Sequence, residues 1–301
     1  INDLAKEIVA NNPDVLNLDE KAQMDSFRDL GYALQLKQQQ DVLVRFGTRF
    51  DVWFSEKSLY ENNFFQHCQD VLKSKGHVFE SEGAVWLRTT DFGDDKDRVM
   101  IKSDGSSAYF ASDSAYYISK RERGFQILIY MLGADHHGYV GRLKAVAACN
   151  NDDPDKNVEV LIGQLVKIMK NGEEVKLSKR AGTIITLEDI VDEVGVDAAR
   201  YTLIRYPSDS PMIMDIEVLK TRTNDNPVYY VQYAHARVCS VFRQLAEKGL
   251  SRDIEQGMAC LEALNDAHET SLLNTLSRYP ETIEKAAMQH APHHLIHYLR
   301  D

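Results

Sequence analysis

The stretch Gln126-Ile-Leu-Ile-Tyr-Met-Leu132, followed directly by Gly133-Ala-Asp135, constrains the fold of this 301-residue chain more than any other segment. It is nearly all apolar and too short for a helix of ordinary length, which predicts a strand buried on both faces of a parallel sheet. Shorter β-rich runs precede it at Ala84–Leu87 and Arg98–Lys102, and Val158–Ile162 and Leu165–Met169 follow. Helical patterns lie between and after them, at about 111–123 and 137–149. Strands that alternate with helices predict an α/β sheet. Open sheets of this kind bind ligands beyond the carboxyl ends of their strands, where Gly133 and Asp135 stand.

The flanks read differently. Residues 1 to about 82 carry apolar positions such as Phe27, Leu30 and Leu34 at three- and four-residue spacing, broken at Asn11-Asn-Pro13 and Gly47, and are predicted to be mostly helical. Short helices are predicted at Leu187–Val194 and Asp197–Arg205. Asn226 before Pro227 is a helix start, because asparagine caps free amides and proline suits the first helical position. Val228, Val231, Val238, Val241, Phe242 and Leu245 then recur at helical spacing, and the remainder to Asp301 predicts an all-helical second domain. No run of eighteen apolar residues exists to span a bilayer, and the opening residues lack a signal-peptide pattern, so the chain reads as cytoplasmic. Cys68, Cys149, Cys239 and Cys260 form no CxxC motif and are expected to be structural and reduced.

Several constellations bear chemistry. Gly172-Glu-Glu-Val-Lys-Leu-Ser-Lys-Arg-Ala-Gly182 sets Lys176, Ser178, Lys179 and Arg180 on one short loop closed by glycines, a cationic clasp for a triphosphate. Taken alone, such a loop also reads as a solvated basic turn. Gly133 lets a nucleotide approach the backbone, and the Asp135 carboxylate can accept from ribose hydroxyls. Asp135-His136-His137 has two other readings: the core of a metal-dependent phosphoesterase completed by Asp94 and Asp95, or a capped helix start with surface histidines. Tyr109 and Asp113 are four apart and share a helix face, either as a site or as a helix cap beside a core tyrosine. Tyr229, Tyr230 and Tyr233 offer faces for unpaired bases, although aromatics at helical spacing equally suit a core. Asp91-Phe-Gly93 matches a kinase tripeptide but lacks the other kinase motifs. His290, His293, His294 and His297 have no acidic or thiol partner at ligand spacing, and no metal site is assigned.

The lysine loop, Gly133–Tyr139 and Asn226–Arg237 together resemble the class I arginyl-tRNA synthetases, over nearly the whole chain. The loop is similar to the KMSKS motif of that class, with Lys176 and Lys179 at its two lysines and Leu177 in place of methionine. The resemblance implies an α/β fold: the second half of a Rossmann-like nucleotide-binding domain with a helical insertion, followed by an all-α helical bundle. Residues 1–225 would belong to the catalytic domain, with the insertion at 1–82, the Rossmann half at 83–186 and connecting helices at 187–225. Residues 226–301 would be a truncated helical anticodon-binding domain. The implied reaction joins arginine and ATP into arginyl-adenylate, with Mg2+ accompanying the ATP, and then transfers arginine to its tRNA; the first step would itself require bound tRNA. The implied roles are arginine binding by Tyr109, Asp113 and His136, ATP binding by Gly133, Asp135, His136 and Lys179, catalysis by Lys176, Ser178 and Lys179, and tRNA contact by Tyr229, Tyr233 and Arg237.

Two features pull against this picture. The formal net charge of -11 is unusual for a protein that holds RNA, so local groups such as Lys220, Arg222, Arg237 and Arg243 must carry the phosphate contacts. The His-x-Gly-His-like signature of class I synthetases is absent, which leads to the expectation of an internal fragment, inactive by itself. The partners expected of the parent protein are tRNA(Arg), L-arginine and ATP, with no membrane association and a monomeric state.

Overall fold

A computed structural model describes residues 1–61, 63–175 and 185–301. The chain forms two compact bodies, one from residues 1–51, 168–205 and 214–301, the other from 52–167 and 206–213.

The first body opens with α1 (Asn2–Asn11) and α2 (Glu20–Arg45). Asp19 caps α2 by accepting from the Ala22 N–H at 3.0 Å, satisfying one of the amides that a helix start leaves free.

The second body begins with α3 (Phe64–Ser74) and an antiparallel meander of β1 (Val78–Ser81), β2 (Ala84–Leu87) and β3 (Arg98–Ile101). Strand β1 falls inside the stretch expected to be helical. It pairs with β2 from Val78↔Leu87 to Ser81↔Ala84, and the cross-strand bonds decide a segment whose own propensity is ambiguous. Helix α4 (Tyr109–Glu122) is the hub of this body: Ala111, Ser112, Ser114, Ala115, Tyr117, Ile118 and Ser119 are all buried, and the small residues let neighbours approach closely. Next come β4 (Leu128–Gly133), α5 (Tyr139–Cys149), the short α6 (Pro154–Asn157) and β5 (Val158–Gly163). Strands β4 and β5 pair in parallel from Leu128↔Val158 to Gly133↔Gly163, as the alternating pattern predicts, with α5 and α6 as the crossover.

One expectation fails. Strand β4 is covered on one face only, with Leu128 in the core while Ile129 is 40% and Met131 78% exposed. The cause is that, among the described residues, the parallel sheet has just two strands, and the core contributed by α4 and α5 lies to one side of it. That core also holds Leu59, Leu72, Leu87, Met100 and Val146, each at most 1% exposed. Burying each such side chain contributes about 1.5–3 kcal/mol. Cys68 and Cys149 lie here as free thiols, and burial pushes both up to about 12, so neither is reactive.

The first body resumes at Ile168, within the hairpin of β6 (Val166–Lys170) and β7 (Glu173–Glu174). Its turn, Asn171-Gly172, has φ of 54° and 78°, the left-handed pair that a tight hairpin demands. Helices α7 (Leu187–Val194) and α8 (Val196–Ile204) follow, the former closed by a capping box between Thr186 and Asp189. Arg45 pairs with Asp192 at 2.5 Å, and Arg200 donates to the Phe46 carbonyl at 2.9 Å, so α7 and α8 are tied to the end of α2. A short strand, β8 (Met212–Asp215), and α9 (Ile216–Lys220) lead to the long α10 (Pro227–Glu247). The last four helices are α11 (Ile254–Ala259), α12 (Ala267–Ser277), α13 (Tyr279–Met288) and α14 (His293–Tyr298). Ala198, Tyr201, Val228 and Ile296 bring α8, α10 and α14 into one cluster. Among the described residues, no helix is long and apolar enough to cross a membrane.

Candidate active site

Strand β4 ends at Gly133, where a Cβ would lie 2.7 Å from Asp135 Oδ1. Glycine there lets the carboxylate fold back over the strand end. The Asp135 side chain is 82% exposed, with Oδ2 3.5 Å from His136 Nε2. The His136 ring stands edge-on to Tyr139, and the Arg142 guanidinium lies 4.8 Å over the same tyrosine. His137 is exposed. The β4–α5 turn therefore presents an accessible carboxylate acceptor and an imidazole beside a backbone that a ligand can approach.

Helix α4 packs against α5 and reaches Tyr130 of β4 through Lys120. Tyr109 is its first residue and stands 92% exposed, while Asp113, one turn on, is half-buried. Burial pushes the Asp113 carboxyl up to about 6 with help from Glu56, and the cations Arg142 and Lys120 oppose the rise. Among the described residues no hydrogen bond or ion pair engages the Asp113 carboxylate. Two further polar atoms around it are also unsatisfied: the Tyr130 hydroxyl on β4 and Arg142 Nε on α5 are buried without a partner. A buried unpaired group costs about 1–3 kcal/mol, and such costs gather where a ligand completes the bonding. Tyr130, Lys120 and Arg142 were not singled out from the sequence. For Lys120 the signal was present, because Asp113, Tyr116 and Lys120 repeat at i, i+3 and i+7 along α4.

Lys176, Ser178, Lys179 and Arg180 lie outside the described residues. On either side of them, Lys170 of β6 and Lys220 of α9 both pair with Glu193 of α7. On α10, Tyr229 and Tyr233 stack at 6.0 Å, and Arg237 lies 5.8 Å over Tyr233, so the three form a column on one helix face. Tyr229 is half-buried and Tyr233 is 46% exposed. A cavity of about 460 Å³ at the foot of this column is lined by Asp197, Lys220, Arg222, Tyr229 and Gln232.

The phosphoesterase alternative loses its metal ligands. Asp94 accepts two bonds from Arg98 at 2.5 and 2.6 Å, which hold its carboxyl down at about 2, and Asp95 pairs with the same guanidinium. Both carboxylates serve a structural clamp. Among the described residues no three His, Cys, Asp or Glu side chains are placed to hold a metal ion, and this includes the histidines of α14.

The family model described as tRNA synthetases class I (R), catalytic domain, matches residues 10–233, and that of the DALR anticodon binding domain matches residues 231–301. The arginine–tRNA ligase of Frankia alni is 48% identical over 299 residues, which cover 99% of this chain and 54% of that protein. That of Paenarthrobacter aurescens is also 48% identical over 299 residues, 99% of this chain and 53% of that protein. The chain thus spans about half the length of the curated relatives it matches. Among solved structures, a Campylobacter jejuni protein described as an arginyl-tRNA synthetase superposes with a TM-score of 0.86 at 31% identity, covering 99% of this chain and 63% of that one. The Thermus thermophilus arginyl-tRNA synthetase shares the fold, with a TM-score of 0.70 at 15% identity over 97% of this chain and 58% of that one. With the catalytic-domain match running across both compact bodies, the chain belongs to the class I tRNA synthetases of the arginine type.

Proposed function

We propose that the polypeptide carrying this chain activates L-arginine with ATP and transfers it to tRNA(Arg). The observation that carries the reading is the half-buried, unpaired Asp113 on α4, close enough to Tyr130 of β4 and Arg142 of α5 to interact with both, in a chain of the arginine-type family. A guanidinium offers planar paired donors, and a carboxylate takes two of them at once. Tyr109 flanks that slot. Gly133, Asp135 and His136 seat the adenosine or the amino acid, and Lys176, Ser178 and Lys179 stabilise pyrophosphate as it leaves. Mg2+ would accompany the nucleotide, taking most of its ligands from phosphate and water. Residues 226–301 act as the anticodon-binding part, with Tyr229, Tyr233 and Arg237 offering stacking faces and a cation to RNA.

Arginine-dependent ATP–pyrophosphate exchange and tRNA charging by the complete polypeptide test this, with tRNA(Arg) present in both assays. The Asp113→Asn variant keeps the shape of the slot and removes its charge, and it is expected to raise KM for arginine about a hundredfold. No charging by the wild type, or an Asp113→Asn variant with unchanged KM, defeats the assignment.

A further inference from the structure

Lys120 has a placement that neither folding nor the assigned roles explain. Its Nζ lies 4.0 Å from the centroids of two rings, Tyr116 on its own helix and Tyr130 on β4. Tyr116 is in turn stacked on Phe54 at 4.5 Å and 23°, so that wall of the clamp is itself held. Among the described residues the ammonium has no carboxylate within ion-pair distance, although Asp113 is two turns away on the same helix face. A half-buried lysine held by rings rather than by a carboxylate is a costly arrangement. Burial and Arg123 pull it down to about 8, so it is still mostly charged at neutral pH.

The arrangement makes sense if the Asp113 oxygens must stay free. A lysine that reached Asp113 directly would occupy the acceptors that a guanidinium needs, whereas without the lysine the half-buried carboxylate would have its charge supported by Arg142 and disfavoured by burial and Glu56. The ring clamp satisfies both demands, because cation–π attraction holds the ammonium off the carboxylate while its field still reaches it. We propose that Lys120, clamped between Tyr116 and Tyr130, is a positioning residue of the guanidinium slot: it keeps Asp113 ionised without competing for its oxygens. The inference rests on the reading of Asp113 as the arginine acceptor. Among the described residues the titratable groups acting on Asp113 are Glu56 before α3, Lys120 on α4, Tyr130 on β4 and Arg142 on α5, and removal of Lys120 leaves Arg142 as the single cation in that set.

The test is arginine-dependent ATP–pyrophosphate exchange by the complete polypeptide with tRNA(Arg), at saturating ATP and over a pH series spanning the acid limb. Lys120→Met should raise KM for arginine about tenfold, leave kcat and KM for ATP within about threefold, and move the acid limb of kcat/KM for arginine to higher pH by about half a unit or more. Lys120→Arg should restore both KM and the limb. Tyr116→Leu removes one ring and frees the ammonium to reach Asp113, so it should also raise KM for arginine; Tyr116→Phe, which keeps the π face, should not. These tyrosine variants decide the matter even if Lys120→Met does not fold. An active wild type whose Lys120→Met variant has unchanged KM and an unmoved limb, or whose Tyr116→Leu and Tyr116→Phe variants behave alike, overturns the role of Lys120 alone. A wild type that does not activate arginine overturns the underlying reading, and the inference with it.

Discussion

At the residue scale, Gly133 shows how backbone geometry and side-chain contact part company. Its backbone, at φ -72° and ψ 160°, is open to any residue, so a left-handed conformation does not explain the glycine. The added Cβ would instead meet the Asp135 carboxylate at 2.7 Å, and that side chain is exposed enough to swing away. Gly133→Ala is therefore expected to change unfolding free energy by less than about 1 kcal/mol, while displacing Asp135 and raising KM for ATP about tenfold. Thermal melts and exchange kinetics on one preparation check both halves. Gly133 and Asp135 were singled out by their place at the end of an apolar strand, and Asp113 only through the family resemblance, since a tyrosine and an aspartate four apart otherwise read as a helix cap beside a core tyrosine. Tyr130 and Arg142 could not be found in either way: an interior tyrosine hydroxyl or a guanidinium looks ordinary until three dimensions show its polar atom buried and unpaired.

The element scale shows where short-range rules sufficed. Asn226 caps α10 as read: its Oδ1 accepts from the Val228 N–H, but the structure adds that Nδ2 donates to the Leu219 and Thr221 carbonyls, both at 2.9 Å. The residue is 5% exposed, so Asn226→Ala would remove a cap and strand two carbonyls in or near the interior. The expected cost is about 3 kcal/mol, seen as roughly hundredfold faster hydrogen exchange for the amides of α9 and the first turns of α10. Exchange unaltered there would show that water replaces those bonds without penalty. Periodicity also located α4, α5, α7, α8, β4 and β5 to within a few residues. It did not reveal β1 or β8, four residues each, because runs that short are set by whichever neighbour offers hydrogen bonds. It misjudged the burial of β4 as well, since an apolar run reports affinity for a covered surface and not whether the cover is present on both sides.

On the scale of the whole molecule, the charge of -11 and the proposed RNA partner are reconciled only if phosphate contacts are few and local. The column of Tyr229, Tyr233 and Arg237, with Lys220 and Arg222 lining the cavity at its foot, supplies one such locality. Affinity for tRNA(Arg) should fall about tenfold between 50 and 200 mM salt for every two phosphates engaged, and Tyr233→Ala should weaken binding without changing that slope. A slope that flattens in Tyr233→Ala would assign the tyrosine to ordering the neighbouring cations. What the sequence by itself determined was the alternation of strands and helices, the helix starts and the residue types at the strand end, all of which follow from interactions spanning a few positions. Only the tertiary structure decided which face of β4 is covered, that Asp94 and Asp95 belong to Arg98, and that Asp113 stays unpaired beside a ring-bound ammonium. Those outcomes depend on groups brought together from separate elements, where burial and competing partners, not local preference, set the energy of each charge.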